Sequence, residues 1–202
     1  SNGVRKIFID HVHRVWLGTD NGVSCITGNG IKNYLYSNGL DYSKIWEIEQ
    51  CPDSSLWFGS FGNGLYEYRN NKFYNYQLPR SRANNSIRKL KSFGKYLFIG
   101  TEAGLNVFDY QKREFVPFKN LSERDSFQIL DFFEYKSKLY FQSFFYGTFE
   151  INPEQKTFRN IRFKQFENKW NYSAYQHNGT LFLSRTRFNE SDHHNLLFWK
   201  AD

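Results

Sequence analysis

The sequence of 202 residues contains no methionine. We therefore expect that residue 1 is not a native start, and we interpret residues 1–2, Ser1 and Asn2, as a tag remnant on a piece cut from a longer protein. No stretch reaches the roughly 18 consecutive apolar residues of a membrane span, and no signal-peptide pattern is present. Contact with a membrane is expected only through the parent protein.

Cysteine is also scarce, since Cys25 and Cys51 are the only two. They occupy non-equivalent positions and lack the CxxC spacing of metal or redox sites, so they form no disulfide framework. The sequence leaves open whether they pair with each other.

Motifs of common catalytic sites are missing too. The chain contains no HExxH, GxSxG, P-loop or paired-carboxylate arrangement. His11, His13, His193 and His194 fall in predicted turns or loops, where solvated side chains are commoner than metal ligands. We predict no catalytic residue, no cofactor and no metal site.

Aromatic residues are abundant, at 20% of the chain, and they favour pleated, half-buried strands. The net charge is +7, but the 27 Lys and Arg residues are spread along the chain beside 20 acids. We interpret this distribution as a solvated surface and predict no nucleic-acid partner.

A repeat organises the whole chain. Aromatic anchors recur at intervals of 41, 41, 42 and 42 residues, each inside a short apolar run. We interpret them as structural residues of a buried strand. The anchors are Trp16, Trp57, Phe98, Tyr140 and Phe182.

The length of the repeat predicts the fold class. About 41 residues with four short alternating strands match one blade of a β-propeller. We therefore predict an all-β single domain over residues 3–202, built of five four-stranded blades at about 3–36, 43–78, 86–118, 126–161 and 170–202. Nothing remains for a fourth strand in the last unit, so the chain is an open arc of a larger propeller or a ring that closes imperfectly.

The first two repeats share an ordered motif. A hydrophobic pair is followed by an Asp-containing turn, an aromatic-centred run ending in Gly-Thr or Gly-Ser, and a Gly-Val or Gly-Leu step. The matching segments are residues 7–10, Val15–Thr19, 20–23, Asp53, Leu56–Ser60 and 63–66. In this order the repeat resembles the two-component regulator propeller repeat.

That resemblance implies the periplasmic sensor region of a membrane-spanning bacterial regulator, often a hybrid histidine kinase that responds to glycan breakdown products. Sensors of this family carry more than five blades and an immunoglobulin-like Tyr-rich domain, which this sequence lacks. The match fades in the fourth and fifth units, where Gly-Thr becomes Gln142-Ser143 and Ser184-Arg185.

Propeller geometry points to candidate ligand-binding residues at one mouth of the blades. The position after the first apolar residue of each first strand should face that mouth, together with nearby loops. Aromatic faces beside Arg and Gln suit a sugar ring, although packing is an equal alternative for Trp46 and the favoured one for Trp170. The candidates are Arg5, Trp46, Arg88, Gln128, Tyr42, Phe61, Arg82, Tyr146 and Trp170.

We predict binding rather than catalysis, with an oligosaccharide or another small ligand as partner and self-association as a dimer with neighbouring sensor domains. Two alternatives stay open at this point. One is a protein-interaction scaffold that docks a partner on exposed strand edges. The other is a metal-dependent propeller lyase or lactonase.

Overall fold

The structure, a computed structural model, describes residues 3–40, 44–78, 85–118, 128–143, 146–161, 171–177, 180–185 and 196–199, the last three as backbone only. Within these residues the chain is all-β, with one short 3₁₀ turn at Tyr36–Asn38 and no α-helix. No helix in the described part is long and apolar enough to cross a membrane.

The strands form five antiparallel sheets that follow one another along the chain. The first sheet holds β1 (Val4–Ile9), β2 (Val15–Thr19), β3 (Gly22–Thr27) and β4 (Gly30–Tyr34). The second holds β5 (Ile45–Gln50), β6 (Leu56–Ser60), β7 (Leu65–Arg69) and β8 (Lys72–Tyr76). The third holds β9 (Ile87–Phe93), β10 (Tyr96–Thr101), β11 (Gly104–Asp109) and β12 (Glu114–Phe115). The fourth holds β13 (Ile129–Tyr135), β14 (Lys138–Ser143), β15 (Gly147–Asn152) and β16 (Thr157–Ile161), and the fifth holds β17 (Asn171–His177), β18 (Thr180–Arg185) and β19 (Leu196–Trp199).

The second sheet shows how closely the pattern predicts the strands. Its alternating runs of large apolar residues predict strands at 45–49, 56–59, 65–68 and 73–76, and each strand is present with one further residue at one end. Asn70 and Asn71 join β7 to β8 with φ of 52° and 61°, the positive values that a two-residue hairpin turn needs.

The closing strand of the third sheet is shorter than its aromatic pattern predicts. The pattern runs over residues 115–118, but β12 ends at Phe115. Pro117 carries no N–H and cannot continue the ladder. One further bond, from Val116 N–H to Val107 O at 2.9 Å, is the last link.

The first two aromatic anchors lie at the contacts between successive sheets. Trp16, Trp57 and Phe98 are each fully buried. Trp16 packs edge-on against Phe58 of the second sheet with ring centroids 5.5 Å apart, and Trp57 packs against Phe108 of the third at 5.1 Å. In these two sheets the recurring aromatic therefore joins one sheet to the next.

The Asp-containing turn of the repeat supplies a hydrogen-bond acceptor for the N–H group of each of these buried indoles. Trp16 Nε1 donates to Asp10 Oδ2 at 2.8 Å. In the second sheet Trp57 Nε1 donates to Ser55 Oγ at 2.7 Å, and Ser55 Oγ donates to Asp53 at 2.6 Å. A buried indole N–H without an acceptor is costly, so the motif couples the turn to the anchor.

Asp10 itself is held as a carboxylate. Burial acts to raise its pKa, but hydrogen bonds from Trp16 Nε1, Arg14 N–H and the Arg14 guanidinium outweigh burial and keep the pKa below its ordinary value.

A glycine marks the place where each early sheet receives the next one. A Cβ on Gly18 would lie 2.8 Å from the carbonyl oxygen of Ile45, and a Cβ on Gly59 would lie 2.5 Å from Cγ2 of Ile87. The first strand of each following sheet thus packs directly on the second strand of the sheet before it. This close approach explains why the repeat carries Gly-Thr or Gly-Ser.

Two compact units divide the chain. The first comprises Ser1–Glu102 and Asn106–Val116, and the second comprises Ala103–Leu105 and Pro117–Asp202. In the second unit Tyr140, which is 9% exposed, stacks on Phe133 with ring centroids 5.1 Å apart. Phe182 lies on β18, and its side chain is outside the described part.

Both cysteines are free and buried, and they belong to different hydrophobic clusters. Cys25 packs with Trp16 and Ile45, while Cys51 packs with Trp57 and Ile87. The sequence left open whether Cys25 and Cys51 form a disulfide, and in the structure they are two separate thiols.

Candidate functional site

Every sheet has a β-bulge at the start of its first strand. In the first sheet Val4 pairs with Thr19 and Lys6 with Gly18, so one residue between them is left over. The same register shift occurs in the other four sheets. Bulges re-aim a side chain and are frequent beside binding sites. The bulge residues are Arg5, Trp46, Arg88, Leu130 and Tyr172.

A repeated backbone hydrogen bond brings the turn after the second strand beside each bulge of the first three sheets. The first residue of that turn donates its N–H to the carbonyl just before the first strand. The bonds run from Asp20 to Gly3 at 3.0 Å, from Phe61 to Lys44 at 2.9 Å and from Glu102 to Ser86 at 3.2 Å. The turn residue and the bulge residue therefore lie side by side in each sheet.

In the first and third sheets these neighbours form ion pairs. Arg5 binds Asp20 through Nε at 2.8 Å and a terminal nitrogen at 3.1 Å. Arg88 binds Glu102 Oε1 at 2.7 Å. The hydrogen bond to Arg5 lowers the pKa of Asp20, and the same bond raises the pKa of Arg5. The charge of each arginine is thus matched by a carboxylate.

In the second sheet the same neighbours are aromatic. Trp46 stacks on Phe61 with ring centroids 4.5 Å apart and planes 23° from parallel. The guanidinium carbon of Arg88 lies 5.2 Å from the centre of the Trp46 ring, within cation–π range. All are half-buried. We call Trp46, Phe61, Arg88 and Glu102 the bulge cluster.

One polar atom of the bulge cluster has no protein partner. Trp46 Nε1 is buried and donates no hydrogen bond to any group in the described part of the chain. Buried polar groups are nearly always bonded, so an unmatched donor calls for an acceptor from elsewhere.

Of the nine predicted mouth residues, the structure brings Trp46, Phe61 and Arg88 into contact and sets Arg5 at the equivalent place in the first sheet. Tyr146 is exposed and belongs to the second unit. Tyr42, Arg82 and Trp170 lie outside the described residues.

Gln128 requires a correction. The sequence placed it at the position equivalent to Arg5, but the ladder pairs Ile129 with Ser143, so the equivalent residue is Leu130. Gln128 precedes β13 by one residue. The error arose because Phe127 was taken as the first apolar residue of this strand, whereas β13 begins at Ile129. Asp20 was missed for a related reason, since nothing in the sequence links it to Arg5.

No protein-family model matches the sequence, and no curated protein matches it either. Solved structures do. The extracellular domain of the hybrid two-component system BT3049 from B. thetaiotaomicron has a TM-score of 0.69 at 20% identity, over 89% of this chain and 25% of that one. The extracellular domain of BT4673 from the same organism has a TM-score of 0.67 at 16% identity, over 92% and 25%. A virginiamycin B lyase from Staphylococcus aureus has a TM-score of 0.66 at 16% identity, over 97% and 69%.

These likenesses show a propeller-like fold shared with the extracellular domains of two-component systems, as the repeat predicted. The chain spans about a quarter of the length of those two extracellular domains. The likeness to a lyase shows that the same fold also occurs in enzymes.

One buried carboxylate of the first compact unit, Glu47, serves as an ion-pair partner. Glu47 on β5 is buried, contacts Lys6 Nζ of the first sheet and lies 3.7 Å from Lys89 Nζ of the third. Among the described residues no group of three His, Cys, Asp or Glu side chains is arranged to hold a metal ion. The arrangement at the bulges is suited to stacking and hydrogen bonding.

Proposed function

We propose that this chain is a ligand-sensing segment from the periplasmic part of a bacterial two-component regulator, and that it acts by binding an oligosaccharide rather than by catalysis. The shared fold with extracellular domains of such systems supports this proposal. The observation that carries it is the bulge cluster, a half-buried aromatic pair with an arginine and a carboxylate at a repeated structural position.

The chemistry of the cluster favours an uncharged sugar. Arg5 and Arg88 are each neutralised by Asp20 and Glu102 at 2.8 and 2.7 Å, so the row offers hydrogen bonds without net charge. Aromatic faces bind the C–H side of a sugar, and carboxylates accept hydrogen bonds from its hydroxyl groups. Such contacts contribute about 1 kcal/mol each, and micromolar affinity needs about 8 kcal/mol, so several must act together.

We further propose that the chain forms five blades of a longer, open propeller. On β1, Val4 is 51% and Ile7 is 63% exposed, whereas their equivalents Ile45 and Ile48 in the second sheet are buried against the first. A preceding blade of the parent protein covers β1 in this proposal. Ligand binding then favours one arrangement of paired sensor domains and biases a kinase across the membrane.

The test is calorimetric titration of the purified segment with neutral, uronate-containing and sulfated oligosaccharides. We expect a saturable heat with a neutral sugar. Trp46→Ala and Arg88→Ala should each weaken binding about tenfold, the equivalent of about 1.4 kcal/mol. Arg69 and Tyr74 form a matched control, because they make the same kind of cation–π pair at 4.4 Å outside the cluster.

Arg69→Ala and Tyr74→Ala should leave the affinity unchanged. Equal losses in both pairs of variants, or heat with sulfated sugars alone, would contradict the assignment of the site and of its neutral ligand.

A second candidate function is a protein-interaction scaffold, favoured by the exposed apolar residues of β1 and of the turn that follows it. Ile7, Ile9 and Val12 are more than half exposed, and such a row is suited to a protein partner. Light scattering discriminates between the candidates. If Ile7→Lys abolishes self-association and no sugar binds, the result favours a protein-interaction scaffold over a sugar sensor.

A further inference from the structure

The fourth sheet differs from the earlier ones on the face that receives the next sheet. In the first sheet this face carries Gly18 opposite Val23, and Val23 shares a core cluster with Ile45 of the following sheet. In the second sheet Gly59 lies opposite Leu65, which clusters with Ile87. A glycine, an apolar neighbour and an incoming isoleucine thus make a dry junction.

All three positions become polar together at the fourth junction. Gln142 stands in the place of the glycine, and Thr148 lies directly opposite it in the place of Val or Leu. The register of β17 with β18 puts Asn171 where Ile45 and Ile87 begin their strands. Since β14 and β17 pack together within the second unit, Gln142 and Thr148 face this junction.

The polar atoms at this junction are buried and have no partner among the residues that the structure describes. Gln142 is fully buried and Thr148 is 3% exposed. In the described part of the chain Gln142 Nε2, Gln142 Oε1 and Thr148 Oγ1 make no hydrogen bond. Ser143 Oγ is unbonded too, but as the adjacent strand residue it points to the opposite face.

We propose that Gln142 and Thr148 form an internal water-binding site at the junction of the fourth and fifth sheets. The amide offers two donors and an acceptor, and the hydroxyl offers one of each, which supplies the two to four partners that a buried water needs. No charged group is required, and burial excludes a ligand of sugar size. The junction that closes dry in the first two sheets is therefore wet in the fourth.

The direct test is a high-resolution crystal structure of the whole chain, supported by water–amide cross-relaxation in NMR. We expect a water oxygen at about 2.7–3.2 Å from the Gln142 amide and from Thr148 Oγ1. A Gln142 amide bonded directly to protein groups, or a larger molecule between the sheets, would overturn the proposal.

Replacing the polar residues of this junction with those of the dry junctions gives a second test, by the melting midpoint. The triple variant Gln142→Gly, Thr148→Leu and Asn171→Ile should lose the water and raise the melting midpoint by about 3 °C, because the unbonded polar atoms of Gln142 and Thr148 are removed. Thr157→Val, on β16 of the same sheet, is the control and should leave the water in place. A water oxygen that persists between the sheets in the triple variant would refute the assignment of the water site to Gln142 and Thr148.

Discussion

Replacing Gly59 by alanine tests how successive sheets dock. The new Cβ would lie 2.5 Å from Cγ2 and 3.1 Å from Cβ of Ile87, and 3.6 Å from Cβ of Glu47. Ile87 is fully buried and β-branched, so it cannot rotate away. Overpacking of this kind costs about 1–3 kcal/mol. For a domain of this size the loss lowers the melting midpoint by about 2–10 °C.

Urea unfolding of Gly59→Ala and of a matched control measures this cost. Gly28→Ala is the control, because no atom lies within 4 Å of its added Cβ, and it should stay within about 0.5 kcal/mol of the parent. Ile87→Leu removes the Cγ2 branch and should recover part of the loss in the double variant. Equal free energies of unfolding for Gly59→Ala and Gly28→Ala would refute the docking contact.

Three further outcomes follow from buried polar groups. Hydrogen bonds keep the pKa of Asp10 low, so its stabilisation is complete above about pH 4 and is lost as the pH falls through its folded pKa. Asp10→Asn should flatten that acid-side slope in pH-dependent unfolding. Arg113→Ala leaves buried Glu67 without its 2.8 Å partner and should cost about 1–3 kcal/mol in urea unfolding, less than a fully buried pair because the arginine is partly exposed. Cys25 and Cys51 should resist a thiol reagent in the native state and both react in denaturant, whereas a disulfide seen by mass spectrometry would contradict the two free thiols.

Much of the fold could be predicted because large aromatic residues recur at the period of the blade. A blade needs one apolar anchor at each sheet contact, and Trp16 and Trp57 supply it at constant spacing. The tight turn at Asn70 and Asn71 could be predicted as well, because Asn tolerates the positive φ that both residues adopt. Strand ends in the second sheet differed by a single residue, because alternation fixes the phase within a strand and hydrogen bonding decides only where the ladder stops.

The site could be predicted only in part. Trp46, Phe61 and Arg88 were selected because propeller geometry puts the start of each first strand and the nearby loops at one mouth. Their partners could not be read, because an ion pair such as Arg5 with Asp20 depends on a bulge and a turn that bring distant residues together. The fourth position is Leu130 rather than Gln128, because β13 begins at Ile129 and not at the apolar Phe127.

The polar junction of the fourth sheet carried a sequence signal that was interpreted too weakly. Gln142 was noticed as a departure from Gly-Thr. Its coupling to Thr148 became visible only through the strand register, which sets the two opposite each other.

A crystal structure of this chain grown with the tightest-binding neutral oligosaccharide would locate the sugar directly. We expect a sugar ring within about 4 Å of the aromatic pair Trp46 and Phe61, with its hydroxyls bonded to Arg88 or Glu102. A sugar bound away from the bulge cluster, or no bound sugar at saturating concentration, would contradict it.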